Sequence, residues 1–395
     1  MNKTENNLVP ELRFPEFKNN GEWYNKKLGE ISEIVRGGSP RPIQEYITND
    51  KKGLNWLKIA DVSVDAKYIT KTQEKVKIQA LKSTREVNPG DLILSNSMSF
   101  GRPYILKIKT CIHDGWIAIR NISNLTFEDY LYYFILSESS QKYFQTNAAG
   151  AAVKNLNADI IKLLPIVLPK EKKEQQKIAE CLSSLDEVIT SHHDKLEALK
   201  NHKKGLLQNL FPKEGENVPK FRFPEFVNDE GWKKKNLGEL FEVGNGRDYK
   251  HLNKGDIPVY GSGGYMLSVN DFLYDGESVC IGRKGTIDKP IFLTGKFWTV
   301  DTLFYTYSFN NCYPKFIYYI FQNIDWLKHN EAGGIPSLSK TNIHKIKTMI
   351  PKIKEQKKIA ICLSEVDDLI TIQIEKIKQL KAYKKGLMQR LFPKK

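Results

Sequence analysis

Side chains able to read the edges of nucleic acid bases occur in short polar loops, in two parallel sets along the chain. Arginine can bridge guanine, asparagine can bridge adenine, and lysine, serine and backbone N–H groups can hold phosphates. The residues concerned are Arg36, Ser39, Arg41, Asn96, Ser97, Ser99, Arg102 and His113 in the first half, and Arg247, Tyr249, Lys250, Ser262, Tyr265, Arg283, Lys284 and Thr286 in the second. Any one loop taken singly reads as an ordinary turn. Their parallel positions in a basic chain favour a DNA-binding surface.

Motifs typical of catalysis are missing from the sequence. It has no GxxxxGK(S/T) phosphate loop, no HExxH, and no Asn-Pro-Pro-aromatic or Asp-Pro-Pro-Tyr motif for amino-group methylation. The His192-His193 pair is interpreted as a polar helix position beside an exposed neighbour rather than as metal ligands. Residues 261–264, Gly-Ser-Gly-Gly, are interpreted as a turn at a strand end rather than a phosphate cradle. We therefore predict no catalytic residue and no metal site in this chain.

Composition indicates a folded, basic protein. With 395 residues, 40% hydrophobic and 11% aromatic, the chain is long enough for two or three domains with separate cores. Its net charge of +15, from 61 basic against 46 acidic residues, favours a polyanionic partner. Excess lysine also occurs in AT-rich bacterial proteomes and in soluble coiled coils, so charge does not decide the matter alone.

The cysteines and the N-terminal sequence indicate a reducing compartment. None of the five cysteines forms a CxxC pair and their number is odd, which argues against a disulfide framework or a zinc site. The first residues, MNKTENNLVPELRF, lack an apolar signal core, and no apolar run approaches the ~18 residues of a membrane span. We expect a cytoplasmic protein without membrane contact.

Two long helices are predicted to position the loops, because residues 174–212 return without a gap at 355–393, an offset of 355 − 174 = 181. Apolar residues recur at alternating steps of four and three, the heptad pattern of a helix that needs a partner helix. The predicted seam consists of Ile178, Leu182, Leu185, Ile189, Leu196, Leu199, Leu206 and Leu210, matched by Ile359, Leu363, Val366, Ile370, Ile377, Leu380, Leu387 and Leu391. We predict that the two copies pair with each other as an antiparallel coiled coil, giving the repeats pseudo-twofold symmetry. The seam positions that are not apolar, His192, Lys203, Gln373 and Lys384, are interpreted as fixing register or marking where partners and solvent reach the seam.

A second repeat precedes each globular region. VPELRFPEF at 9–17 returns as VPKFRFPEF at 218–226, an offset of 226 − 17 = 209. A unit of opening motif, globular region and long helix is therefore duplicated, and the first globular region is 209 − 181 = 28 residues longer. We predict an α+β fold with mixed, strand-rich domains at 1–168 and 221–350, long helices at 169–212 and 351–395, and a linker at 213–220. Strands are predicted at 55–59, 91–94, 104–108, 116–119, 257–261, 278–281, 290–293 and 302–307, with helices at about 127–145 and 314–328.

Several stretches resemble one protein family over essentially the full chain. They are GGSP at 37–40, WLK at 56–58, PGDLI at 89–93, PVYGSGG at 258–264 and IGRKGT at 281–286, together with the helix opening EQxKIAxCLSxxD and its closing KKGLxQxLFP. This combination is similar to the specificity subunit of Type I restriction-modification systems. The segment at 97–101 is only loosely like the family's run there.

The resemblance implies a non-catalytic subunit that reads double-stranded DNA. Each strand-rich domain would be a target-recognition domain for one half of a bipartite site, and the helices would act as spacer and docking surface. It further implies two methyltransferase subunits that use S-adenosylmethionine, and motor-nuclease restriction subunits that use ATP with Mg²⁺. The cofactors are thus expected in partner subunits and none in this chain.

Two other interpretations remain open at this stage. A self-contained restriction or modification enzyme would need catalytic motifs that the sequence lacks. A coiled-coil adaptor would use the same loops to bind proteins, and its binding would not depend on DNA sequence or steeply on salt.

Overall fold

The computed structural model of the chain describes residues 8–63, 65–96, 101–148 and 155–393. It divides into two compact units, Met1–Ser191 with Ile377–Lys395, and His192–Lys376. Two long helices, Lys172–Asn209 and Ile353–Leu391, each contribute residues to both units. Each unit combines mixed sheets with helices, which confirms the predicted α+β class.

Within the described residues, the first unit has two five-stranded sheets and one two-stranded sheet. The strands are β1 (Tyr24–Lys27), β2 (Glu33–Arg36), β3 (Ile47–Thr48), β4 (Leu54–Leu57), β5 (Tyr68–Ile69), β6 (Glu74–Val76), β7 (Arg85–Val87), β8 (Leu92–Ser95), β9 (Pro103–Leu106), β10 (Thr110–Ile112), β11 (Trp116–Arg120) and β12 (Pro165–Leu168). The strand orders are β3-β6-β4-β10-β7, β2-β11-β8-β9-β5 and β1-β12. Consecutive strands β10 and β11 lie in different sheets, so the turn at 113–115 joins the two sheets.

The first unit's helices are α1 (Leu28–Ile31), α2 (Glu128–Leu136), α3 (Glu138–Asn147), α4 (Ala158–Lys162) and the long α5 (Lys172–Asn209). The single helix predicted at about 127–145 is wrong, because the structure has two helices there. Ser137 takes an extended backbone between them, and its hydroxyl accepts the N–H of Ser140 to cap α3. The serine side chain competes with the helical hydrogen bonds, and this breaks the helix.

The second unit repeats this order with two four-stranded sheets and a two-stranded sheet. Its strands are β13 (Lys233–Asn236), β14 (Glu242–Asn245), β15 (Lys254–Gly261), β16 (Gly264–Val269), β17 (Tyr274–Asp275), β18 (Ser278–Gly282), β19 (Ile291–Leu293), β20 (Lys296–Thr299), β21 (Leu303–Tyr307) and β22 (Lys347–Ile350). The orders are β14-β21-β18-β19, β16-β15-β20-β17 and β13-β22. The turn at 300–302 therefore joins two sheets, as the turn at 113–115 does.

The second unit's helices are α6 (Pro314–Asn323), α7 (Lys340–Lys345) and the long α8 (Ile353–Leu391). The helix predicted to reach residue 328 ends at Asn323, because Ile324 is extended and a separate 3-10 turn follows. Trp326 of that turn is buried, its ring 4.9 Å from that of Phe321. The packing of Trp326 thus determines where α6 ends. Each predicted strand coincides with an observed one to within three residues at either end.

A buried ion pair connects the opening motif of each unit to the start of a long helix. In the first unit the carboxylate of Glu174 accepts hydrogen bonds from Arg13 at 2.7 and 2.8 Å and from the indole N–H of Trp23 at 3.2 Å. In the second unit Glu355 accepts from Arg222 at 2.9 Å twice and from Trp232 at 3.2 Å. The two repeated motifs of the sequence therefore contact each other, which explains why both recur together.

The LFP sequence that ends each long helix packs into a unit built mostly from the other repeat. Phe392 makes edge contacts with Tyr130 and Phe134 of the first unit, with ring centroids 5.9 and 5.6 Å apart. Phe211 contacts Trp232 and Phe316 of the second unit at 5.9 and 5.4 Å. Leu391 and Phe392 thus form part of the first unit's core.

All sixteen predicted seam residues are buried or partly buried. The first positions of each copy contribute to a globular core as well. Ile178 and Leu182 join the core cluster of the first unit, and Ile359 and Leu363 that of the second. The apolar side chains of the heptad pattern are therefore buried against a globular domain as well as against the other helix.

Within each unit the helices pair antiparallel. In the first unit, Lys384 of α8 bonds to Asp186 of α5, while Leu182 shares a cluster with Leu391. In the second unit, Lys203 pairs with Asp367 at 2.6 Å. The side chain of Gln373 there donates to the backbone carbonyl of His192 at 2.7 Å. Every predicted polar seam position thus has a partner on the other helix.

Candidate nucleic-acid interface

The turn at residues 113–115, which we call the first junction turn, lies directly against the loop that follows β2. Gly37 donates its N–H to the carbonyl of Trp116 at 2.9 Å, and Gly38 donates to that of Ile112 at 3.1 Å. A Cβ on Gly37 would lie 2.1 Å from the carbonyl oxygen of His113. Only glycine allows this approach, which gives the GGSP motif a structural role.

Asp114 of the first junction turn is the common acceptor for the predicted DNA-binding residues of this unit. Its carboxylate accepts from the Ser39 hydroxyl at 2.8 Å and lies 3.6 Å from the Arg41 guanidinium. Its backbone carbonyl accepts from the Arg36 Nε at 3.1 Å and from the Asn96 amide at 3.0 Å. The Ser39 hydrogen bond, with the nearby Arg41 guanidinium, holds the pKa of Asp114 below its usual value.

His113 supports the same turn as a neutral ring. Its Nδ1 accepts the N–H of Gly115 at 2.8 Å. Burial lowers the pKa of His113, and the attraction of Asp114 only partly opposes this. The imidazole therefore acts as a hydrogen-bond acceptor inside the turn.

The predicted residues of the first unit therefore differ in whether their side-chain groups are free to contact DNA. The Ser39 hydroxyl and one N–H of the Asn96 amide donate within the protein, whereas the Arg41 side chain is 83% exposed. Arg102 packs on the ring of Tyr104, and its Nε has no partner among the described residues. Ser97 and Ser99 lie outside the described residues.

The second unit gathers its loops around residues 300–302, the second junction turn. Arg247 donates its N–H to Thr299 at 2.8 Å, and Arg283 donates to Thr302 at 2.8 Å. A Cβ on Gly246 would lie 1.9 Å from the carbonyl oxygen of Val300, repeating the approach seen at Gly37. The side chains of Arg247, Lys250 and Lys284 are exposed.

A cavity of about 710 Å³ opens beside the second junction turn. Tyr249, Lys250, Ser262 and Tyr265 line it, together with the two carboxylates of Asp248 and Asp301. Ser262 and Gly263 form the turn of the β15–β16 hairpin, which confirms that 261–264 is a strand-end turn. Thr286 is not among the lining residues, and its carbonyl oxygen lies where a Cβ on Gly282 would approach it to 2.0 Å. The structure thus brings seven of the eight predicted residues of this unit to the second junction turn.

Asp114 and Asp301 were not among the residues predicted from the sequence. The search favoured donors, since DNA is anionic, and it passed over carboxylates. A signal was nevertheless available, because each aspartate follows a strand and occupies the same place in its repeat.

The described residues contain no cluster suited to a metal or a thiol nucleophile. No group of three or more His, Cys, Asp or Glu side chains in that part of the chain could hold an ion. All five cysteines are unpaired, and burial raises the pKa of Cys111 to about 11 and that of Cys280 to about 12. Across the same residues, no helix is long and apolar enough to cross a membrane.

The sequence and the fold of this chain are similar to those of known proteins. The family model for the type I restriction modification DNA specificity domain matches residues 20–201 and 229–382. The MjaIX specificity subunit of a type I restriction enzyme from Methanocaldococcus jannaschii is 28% identical over 298 residues, which cover 67% of this chain and 66% of that protein. The MjaVIII specificity subunit from the same organism is 22% identical over 96% of this chain and 93% of its own length. A crystal structure of a type I restriction-modification S subunit from M. genitalium superposes with a TM-score of 0.63 at 18% identity, covering 98% of this chain and all of that one.

Proposed function

Since the chain belongs to the family of type I restriction modification DNA specificity domains, we propose that it is the subunit through which a type I complex recognises a bipartite DNA site. Each strand-rich domain reads one half of that site through the loops around its junction turn. The self-contained enzyme and the adaptor are not favoured, because the family match runs through both repeats.

The observation that carries this proposal is the duplicated loop cluster. In both units, polar and cationic side chains surround a turn that joins two sheets, and a glycine approaches that turn within a distance no side chain would allow. Loops held on a rigid scaffold are suited to reading base edges, which need positions fixed to a few tenths of an ångström. The net charge of +15 supports binding to the DNA backbone.

The long helices supply a surface for the methyltransferase subunits. Ile361, Leu369 and Ile372 of α8 are large apolar side chains at least half exposed on that helix. An apolar helix face in water favours a partner helix. The positions at the same place in α5 are Glu180, Val188 and Ser191, so the two helices offer unequal docking surfaces.

The chemistry belongs to the partner subunits. An adenine must leave the base stack to be methylated, and a methyltransferase with its own S-adenosylmethionine pocket would flip it while this chain holds the flanking bases. Motor-nuclease restriction subunits would supply the ATP- and Mg²⁺-dependent cleavage. This chain binds and orients, and no reaction step is assigned to its residues.

Sequencing the methylated bases of host DNA with and without this chain tests the proposal. We expect one bipartite motif to disappear when the chain is deleted and to return on complementation. The purified chain alone should transfer no methyl group from S-adenosylmethionine to DNA. An unchanged pattern of methylation, or transfer by the pure protein, would contradict the proposal.

A further inference from the structure

The aspartates of the two junction turns occupy equivalent places and have different surroundings. Each follows a strand of one sheet and precedes a strand of the other. Asp114 has the Ser39 hydroxyl at 2.8 Å and the Arg41 guanidinium at 3.6 Å. Among the described residues, the Asp301 carboxylate has neither an ion-pair partner nor a side-chain hydrogen bond, and it is exposed. Asp301 therefore keeps its acceptor capacity for something outside the chain.

The surroundings of Asp301 are those of a recognition pocket. It lines the 710 Å³ cavity together with the polar residues Lys250, Ser262 and Tyr265. The other carboxylate there, Asp248, accepts the backbone N–H of Lys250 at 3.2 Å and so stabilises its own loop. Unlike Asp248, the carboxylate of Asp301 accepts no hydrogen bond from its own loop in the described structure.

The chemistry of DNA limits what a free carboxylate can bind. Phosphates repel it, and a base offers it a hydrogen only through N–H groups. In the major groove those donors are the N4 amino group of cytosine and the N6 amino group of adenine. A metal ion is disfavoured as the ligand, since the described residues place no third acidic or histidine ligand with Asp248 and Asp301.

We propose that Asp301 accepts a hydrogen bond from the exocyclic amino group of one cytosine or adenine in the second half-site. This inference rests on the proposed function. Asp114 has a different role, since its carboxylate holds Ser39 and Arg41. Two equivalent turns thus read DNA in different ways.

The test uses the assembled complex and the motif found by methylation sequencing. Each adenine of the second half-site is replaced in turn by purine, and each cytosine by 2-pyrimidinone, which removes only the amino group. For the wild-type complex we expect one such replacement to weaken binding about 5- to 150-fold through Asp301. With Asp301→Ala, which removes the acceptor, that same replacement should have little effect. The base at which this happens distinguishes cytosine from adenine.

Asp256→Ala is the matched control, because it removes an exposed carboxylate of the same domain that does not line the cavity. It should retain the wild-type response to every replacement. An identical response of Asp301→Ala and Asp256→Ala at all positions would overturn the inference and leave only a general charge effect. A motif unchanged in the Asp301→Ala complex would also overturn it.

The outcomes separate this inference from the function on which it rests. A wild-type complex without a bipartite motif contradicts the proposed function itself. Preserved recognition of the first half-site by Asp301→Ala shows that the variant is folded, so that a loss confined to one base of the second half-site supports the inference.

Discussion

The buried ion pair between Arg13 and Glu174 depends on two residues 161 positions apart, and its counterpart joins Arg222 to Glu355. Both partners of each pair are almost wholly buried, with side-chain exposures of 6% and 1%. Removing the cation leaves a carboxylate that water cannot reach. Such an uncompensated charge costs more than the intact pair contributes.

We expect Arg13→Met to lower the free energy of unfolding by about 3–5 kcal/mol. Methionine keeps much of the apolar stem, so the loss reports the charge rather than the packing. Urea denaturation followed by circular dichroism measures the effect. Arg390→Met is the control, since its pair with Glu11 is half exposed and should contribute no more than about 1 kcal/mol. Equal losses for the two variants would show that loss of the buried pair costs no more stability than loss of the half-exposed one.

The burial of His113 predicts that pH affects recognition of one half-site only. Burial lowers its pKa, so the neutral ring that accepts the Gly115 N–H is the folded form at neutral pH. A histidine whose pKa is lower in the folded than in the unfolded protein stabilises the fold at pH values above its normal pKa of about 6.5. This stabilisation is lost as the pH falls through the lower pKa of the folded state. The charged groups facing the ring, Asp114 and Asp61, favour protonation and oppose burial.

Recognition of the first half-site should therefore weaken as the pH falls below the normal histidine pKa of about 6.5, whereas recognition of the second half-site should not change in parallel. Val300 stands at the position of His113 in the second junction turn and cannot titrate. Binding of the complex to mutated half-sites between pH 5 and 8 measures this difference. A parallel pH response of both half-sites would contradict the assignment to His113.

The sequence predicted polar loops that the structure brings to the junction turns, but it could not show which of their side chains are free. Asp114 lies 75 residues from Ser39 and 78 from Arg36, and only the fold brings them together. Residue type suggested that Ser39 and Asn96 face DNA, yet the Ser39 hydroxyl and one N–H of the Asn96 amide bond within the protein. The division between positioning and reading residues depends on tertiary contacts, which residue type and spacing do not contain.

The long helices are the elements that the sequence described best. Heptad spacing predicted the pairing, since apolar side chains at that spacing must be removed from water. It did not predict how the polar seam positions are accommodated. Lys384 reaches Asp186, and Asp186 also accepts the hydroxyl of Tyr133 at 2.7 Å. In the second unit, Asp367 likewise binds Lys203 and, at 2.9 Å, Tyr319. These contacts fix one register of the helices.

We expect a double-mutant cycle of Lys384→Met and Asp186→Asn to give a coupling free energy of about 1–3 kcal/mol. Both side chains are less than a third exposed, and burial lowers the pKa of Lys384, so the ammonium group needs its partner. Urea unfolding of the four proteins in the cycle measures the coupling. The exposed pair Lys200–Glu197 is the control and should couple by no more than about 0.5 kcal/mol. Similar coupling in both cycles would argue against a register role.

The apolar face of α8 leads to a prediction about partner binding. Ile372→Glu should raise the dissociation constant of a methyltransferase subunit about tenfold or more, because burial of an isoleucine side chain is lost. Ser191→Glu makes the same change in charge at the corresponding place on α5 and should have a smaller effect. Calorimetric titration of the purified chain with the partner subunit measures both. Equal effects would mean that the exposed isoleucine is not part of the docking surface.

At the scale of the whole molecule, duplication divides the chain into parts that must match and parts that can differ. The opening motifs, long helices and LFP sequences contact one another inside each unit, so a change in one requires a change in its partner. The loops around the junction turns contact mainly their own turn, and they differ between the repeats in length and residue type. This separation allows two different half-sites to be read on similar frameworks.

The net charge of +15 adds a property that belongs to the molecule and not to any one loop. Phosphate contacts release counterions, so affinity should fall steeply and linearly with the logarithm of salt concentration. Between 50 and 200 mM salt we expect a loss of about 10³- to 10⁵-fold if about six to ten phosphates are contacted. Hydrogen bonds to bases respond less to salt, so the preference for the bipartite motif over unrelated DNA should persist across this range. Competition binding of the complex at several salt concentrations measures both quantities. Affinity that ignores salt, or that falls with salt but never differs between sequences, would contradict a surface in which exposed cations hold the backbone while fixed loops read the bases.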